Sequence, residues 1–197
     1  MAFMYDIYSP INLEWGLKRD NGTRKSRGWW RNISMNWNLT MELARAFQDK
    51  LDWYFISSNK GLKPSYDFLE EFSDKIYWNG YARAYKIDEK TFIRFKKHID
   101  IFNFFKNTCE DRFAMIEKYY NEVEHKAELF KEFRFKQDFL ERHANEFSKE
   151  EWRTIAWNQK MSVNFIKQYK DKFNTKHLLN NPYVPQYLKD KIDNGEF

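Results

Sequence analysis

The chain has 197 residues, 42% of them hydrophobic and 32% charged, with a formal net charge of +5; that is enough for one domain, or a domain with an arm, to bury a core. Only six Gly and four Pro argue against a turn-rich β fold and against disorder, and a single Cys109 excludes an intrachain disulfide and gives no zinc spacing. No apolar run approaches the roughly 18 residues needed to span a bilayer, and the opening residues lack the basic and apolar regions of a signal peptide.

Residues 1–28 read as a basic N-terminal arm. Six cations in residues 1–31 (Lys18, Arg19, Arg24, Lys25, Arg27 and Arg31) face only Asp6, Glu14 and Asp20. The stretch from Lys18 to Arg31 is non-periodic and joins those cations to two Gly residues and the pair Trp29-Trp30. Arginine forks on phosphates beside an exposed Trp are what nucleic-acid contact requires. A solvated arm that keeps the chain soluble is the alternative.

From residue 29 to 197 one pattern recurs. Trp30, Trp53, Trp78 and Trp152 are followed three residues later by Ile33, Ile56, Tyr81 and Ile155, and nine residues later by Leu39, Leu62, Ile87 and Met161. The same ruler finds weaker copies opening at Ile101, Lys126 and Thr175, with Phe104, Leu129 and Leu178 in the second slot. Asn stands six residues after the start in five copies, as Asn36, Asn59, Asn107, Asn158 and Asn181. Starts 23 to 26 residues apart signal a stacked repeat array.

In the first copy Trp30 and Ile33 share a helical face, since residues three apart are neighbours. Asn36 is expected to close that short helix, because Asn tolerates the left-handed conformation and its side chain can satisfy freed backbone groups. Leu43, Phe47 and Leu51, at steps of four, predict a longer second helix. In the copy from Trp53, Pro64 suits the first turn of that second helix. Thr108 and Asp111 form a weak capping pair before the helix of the fourth copy, and the copy from Lys126 places His143 in an aromatic slot. Ser148 and Glu151 have capping-box spacing just before Trp152. The prediction is an all-α, compact array of stacked short-helix/long-helix repeats behind a basic arm.

The stretch Trp53-Tyr-Phe-Ile-Ser-Ser-Asn-Lys-Gly-Leu62, with Asp52-Trp53 at the junction and a Ser-x-Asn turn, resembles short helical repeats of bacteriophage and giant DNA virus proteins. It departs from many of those repeats in lacking Asn-Pro outside Asn181-Pro182. The resemblance implies a virus-encoded protein and carries over no catalytic residue.

Candidate sites divide accordingly. The phased Trp residues are expected in the core, and the turn Asn residues at helix ends. Trp29, Trp37 and Trp157 break the slots and are the candidates for exposed contact, with satellite packing as the other reading. His98, His125, His143 and His177 share no spacing; His125 and Glu128 lack two further metal ligands. Cys109 has no paired His nearby, and Glu70, Glu71, Glu122 and Glu124 read as a solvated face with same-helix partners. No Gly-rich phosphate loop occurs, so neither an enzyme, a metal nor a cofactor is expected. The partner or nucleic-acid contacts are assigned to Lys18, Arg19, Arg24, Lys25, Arg27, Trp29, Arg31, Trp37 and Trp157.

The composite expectation is a virus-encoded interaction protein that docks on a host or viral macromolecule, a protein or nucleoprotein such as an immune nuclease, and inhibits or redirects it. A nucleic-acid-binding protein anchored by the arm is the second class, and a virion structural component the third. The expected location is the host cytoplasm, or the virion, without membrane contact.

Overall fold

The computed structural model describes residues 27–196, so the arm expected over 1–28 lies outside the described residues except for its last two. Among the described residues there are fourteen α-helices, two single 3-10 turns and one isolated parallel bridge, Ile87 to Thr108, with no strand. The fold is all-α. No helix among the described residues is long and apolar enough to cross a membrane. The chain divides into two compact units between Met115 and Ile116.

The first unit contains α1 (Arg27–Ser34), α2 (Met41–Ala46), α3 (Trp53–Ile56), α4 (Tyr66–Glu71), α5 (Trp78–Ala84), α6 (Glu89–Arg94) and α7 (Ile101–Asn107), and α8 (Arg112–Tyr119) begins in it. The second contains α9 (Lys126–Glu132), α10 (Gln137–His143), α11 (Lys149–Asn158), α12 (Val163–Gln168), α13 (Thr175–Asn180) and α14 (Gln186–Asp193). Each copy thus supplies two helices. The first starts two residues earlier than expected, because Arg27 and Gly28 already belong to α1.

The second helix is the longer one in the copies from Trp53, Ile101 and Thr175, equal to the first in the copy from Lys126, and the shorter one in the copies from Trp30, Trp78 and Trp152. α2, α4, α6 and α12 each have six residues. Each stops at an aromatic residue, Phe47, Phe72, Phe95 or Tyr169, whose φ lies between −119° and −110°. That ring is drawn onto the Trp of its own copy: Phe47 lies 5.6 Å from Trp30, Phe72 4.6 Å from Trp53, Phe95 5.0 Å from Trp78 and Tyr169 5.3 Å from Trp152. The chain then makes a further turn, with Leu51 N–H donating to Phe47 O and Ile76 N–H to Phe72 O. Apolar steps of four therefore continue across an interrupted helix, which is why the spacing suggested one long element.

The slot three residues after each start is the core. Ile33, Ile56, Tyr81, Phe104, Leu129, Ile155 and Leu178 are all buried, as are Leu39, Leu62, Ile87, Phe135, Met161 and Val184 six residues further on. Trp30, Trp78 and Trp152 are buried with them, whereas Trp53 is only partly covered. Trp53 and Trp78 each direct the indole N–H to a carbonyl, Gln48 O and Ser73 O, both at 2.9 Å, so the polar edge of a large apolar ring is satisfied.

Polar side chains stitch successive copies. Asn59 Nδ2 donates to Ser34 O and Asn36 O of the preceding copy at 3.0 and 2.8 Å, while its Oδ1 accepts from Gly61 N–H in its own turn. Asn181 does the same with Ala156 O, Gln159 O and Tyr183 N–H. These are buried amides with both ends used, the condition for a polar group to be stable in a core. The Ser of the Ser-x-Asn turn joins in: Ser34 Oγ donates to Trp30 O and accepts from Asp52 N–H, and Ser57 Oγ links Trp53 O to Tyr77 N–H. Gly61 is required by the close approach of turns, since a Cβ there would meet Trp37 O at 2.0 Å.

Several sequence expectations change here. The Asn residues do not close helices by left-handed backbone; among the described non-glycine residues only Lys63 has a positive φ. Asn158 and Asn107 are not stitches, because each bonds back to its own helix, at Thr154 O and Asn103 O. In the copy from Trp152, whose α11 runs to ten residues, the buried stitch is Gln159: its Nε2 donates to Phe130 O and Phe133 O and its Oε1 accepts from Phe135 N–H. In the copy from Trp78 the Tyr85 hydroxyl donates to Asn59 O, and Ile87 pairs by backbone with Asn107 and Cys109. Pro64 precedes the N-cap Ser65 instead of entering the helix. Asp111, not Thr108, caps α8, accepting from Phe113 and Ala114 N–H. Glu70 and Glu71 find their partners in other copies, Arg94 at 2.6 Å and Arg45 at 2.7 Å.

Candidate functional site

α11 starts at a reciprocal side-chain cap. Ser148 Oγ accepts from Glu151 N–H while Glu151 Oε2 accepts from Ser148 N–H, the reciprocal capping box expected from the sequence. Glu151, Trp152, Thr154, Ile155 and Ala156 form its buried face. The opposite face exposes Lys149, Arg153 and Trp157 at steps of four, which aligns them in one stripe about 12 Å long.

Beside that stripe α11 and the segment leading into α13 enclose an open cleft of about 430 Å³, lined by Lys149, Glu150, Arg153, Lys172, Asn174 and His177. None of Lys149, Arg153 and Lys172 forms an ion pair among the described residues. Arg142 of the same unit, by contrast, binds both Glu117 and Asp138 at 3.0 Å. Three cations outweigh the single Glu150, so the cleft is a positive concavity.

His177 forms the cleft's link to the exposed aromatic. Its ring lies parallel to Trp157, 5.3 Å away with planes 18° apart, and its Nδ1 is enclosed without a hydrogen-bond partner. Burial, then the charges of Arg153 and Lys176, pushes its pKa down, so near neutrality the ring is uncharged and presents a flat stacking face. Trp157 is 45% exposed despite that stack.

The remaining sequence candidates are distributed differently. Lys18, Arg19, Arg24 and Lys25 lie outside the described residues. Arg27 is exposed at the start of α1, and the Arg31 guanidinium sits 4.5 Å from the Phe55 ring centroid, pinning one copy to the next. Trp29 is half-buried and packs edge-on against Trp30 at 4.7 Å, so it is satellite packing more than an exposed contact. Trp37 is 65% exposed, beside exposed Met35. Among the predicted contacts that the structure describes, Trp157 stacks on His177, a residue of the cleft lining.

A second polar cluster in the second unit is a fastening. His143 Nε2 meets Glu117 at 2.9 Å and Nδ1 meets Glu146 at 3.1 Å, with the ring in the aromatic slot between Phe139 and Tyr120. Burial opposes charge on Glu117, but the bonds from His143 and Arg142 prevail and hold its pKa below the usual carboxylate range. The Tyr120 hydroxyl donates to buried Glu151 at 2.9 Å, and burial with that carboxylate pushes the phenol well up. Among the described residues no three His, Cys, Asp or Glu side chains gather as a metal site.

Lys149, Arg153 and Lys172 were missed by the sequence reading because charge was weighed over the arm against the whole remainder, and His177 was weighed only as one of four histidines without shared spacing. Residues 149–176 hold seven basic residues against three acidic ones, one of which, Glu151, is consumed by its cap. A window of that length, with the four-residue steps from Lys149 to Trp157, would have marked the stripe. Comparison with family models, curated proteins and solved structures finds no match to this chain.

Proposed function

We propose that this chain is a helical-repeat binding protein that engages a polyanionic macromolecule, nucleic acid first, and acts by occupancy without catalysing a reaction. The observation that carries this reading is the positive cleft of the second unit, whose cations form no ion pair among the described residues, beside an exposed Trp. Phosphate contact is chiefly electrostatic, and free cations in a concavity concentrate it. The basic stretch from Lys18 to Arg31 adds charge of the same sign. A virus-encoded protein of this kind would inhibit or redirect a host nucleic acid or nucleoprotein in the host cytoplasm.

The test is fluorescence anisotropy with mixed-sequence RNA and DNA across a salt titration. Binding should weaken linearly on a log–log plot, with a slope of about 0.7 for each phosphate neutralised on a single strand. Absence of binding at low salt, or binding indifferent to salt, overturns the proposal. A protein partner is the second reading, favoured by Trp37 and Met35 and by the stacked, exposed pair Tyr54 and Tyr77, 5.0 Å apart. Capture of one stoichiometric partner after nuclease treatment, with no affinity for oligonucleotides, would select it.

A further inference from the structure

We infer that the cleft between α11 and α13 seats a single-stranded nucleic acid, with a base stacked on Trp157 and the adjoining phosphates held by Lys149, Arg153 and Lys172. This rests on the nucleic-acid reading above and narrows it to one strand at one site.

Trp157 has no part in the repeat core, which Trp152 supplies five residues earlier with Phe165, Tyr169 and Phe173 around it at 5.0 to 5.9 Å. Its ring instead extends a two-ring stack begun by His177, leaving nearly half the residue in water. Every base has a flat face that can lengthen such a stack, so recognition there is tolerant of sequence. A duplex keeps its bases stacked on one another and offers this site only phosphates. An unpaired strand can offer both.

Spacing supports simultaneous contact. Arg153 lies one helical turn before Trp157 and Lys149 one turn before that, so a strand lying along the stripe would meet Trp157 and then two cations. Lys172 faces them from the other wall of the cleft. The planar guanidinium of Arg153 can grip two phosphate oxygens at once, whereas the two Lys residues act as point charges. Glu150 is the one anion on the lining; it works against phosphate and sets a built-in limit on affinity.

The experiment measures anisotropy of a short fluorescein-labelled oligouridylate and of a duplex of equal length, with the full chain and four variants. Trp157→Ala should weaken the single strand about tenfold and leave the duplex unchanged, while Trp157→Phe keeps most of the affinity because stacking survives. The double variant Arg153→Ala/Lys172→Ala should weaken both probes and lower the salt slope on the single strand by about 1.4. Glu150→Gln should tighten binding severalfold. Circular dichroism melts confirm that each variant folds, all four positions being exposed. If the parent binds the single strand and Trp157→Ala and Arg153→Ala/Lys172→Ala bind equally well, this seat is wrong and nucleic-acid binding belongs elsewhere, the basic arm first. If the parent binds neither probe, the nucleic-acid function itself falls, and this seat with it.

Discussion

In the first unit three cations, Arg45, Arg94 and Lys75, are each tied to an acid of another copy, Glu71, Glu70 and Asp49, while Lys60, Lys63 and Lys86 form no ion pair among the described residues. In the second unit Arg142 follows that habit, but Lys149, Arg153 and Lys172 do not. Beneath this difference the two units share one interior plan, in which a Trp or its substitute, a buried apolar residue three positions on and a bonded amide join copy to copy. The contrast separates two jobs. Stacking is specified by buried groups that tolerate little change, whereas surface charge can be paired in one copy and left unpaired in another.

The largest effects should come from the shared interior. Trp152→Ala empties a site that is only 3% exposed and ringed by aromatics, so it should cost about 3–5 kcal/mol in urea unfolding. Trp78→Ala should behave alike in the first unit, Trp53→Ala should cost less because Trp53 is partly open, and Trp157→Ala should stay within about 1 kcal/mol. Equal losses at Trp152 and Trp157 would break the division between core and surface rings.

Next comes the stitch. Gln159→Ala removes three buried bonds at once, to Phe130 O, Phe133 O and Phe135 N–H, and should cost about 2–4 kcal/mol. Asn59→Ala, which removes the bonds to Ser34 O and Asn36 O, should cost somewhat less, because Asn36 O still accepts from Leu39 N–H. Asn158→Ala removes only a bond to its own helix and should cost less than about 1 kcal/mol. Thermal melts that rank Asn158 above Gln159 would restore the regular Asn position as the stitch.

The smallest effect sharpens the charge contrast. Arg45→Ala and Arg94→Ala should each give a loss near the limit of measurement, one that added salt abolishes, since exposed pairs contribute little. Lys149→Ala should leave stability unchanged or slightly raised, because it removes a cation from an excess of like charge. A clear, salt-sensitive loss at Lys149 would mean that it is paired after all.

Much of the interior was legible without coordinates. The period of the copies, the apolar slots and the capping box of Ser148 and Glu151 all depend on neighbours within one helix or turn, where sequence spacing and spatial distance are nearly the same thing. The interruption at Phe47, Phe72 and Phe95 was hidden because a ring turning onto its own Trp keeps the four-residue rhythm. Of the site, only Trp157 was visible, as an aromatic out of phase.

By itself the sequence determined an all-α chain of repeated two-helix copies and the residues that fill their core, because periodicity encodes which side of a helix is apolar. Tertiary structure alone decided that Gln159 and not Asn158 reaches the preceding copy, that Arg31 packs on Phe55, and that Arg153 and Lys172 share a cleft with His177. Gln159 and Phe130 are 29 positions apart, Arg31 and Phe55 24, and Arg153 and Lys172 19. Their distances follow from how one copy lies on another; in α11 the helix runs on through Asn158, whose side chain bonds back to it, and Gln159 is the side chain that arrives.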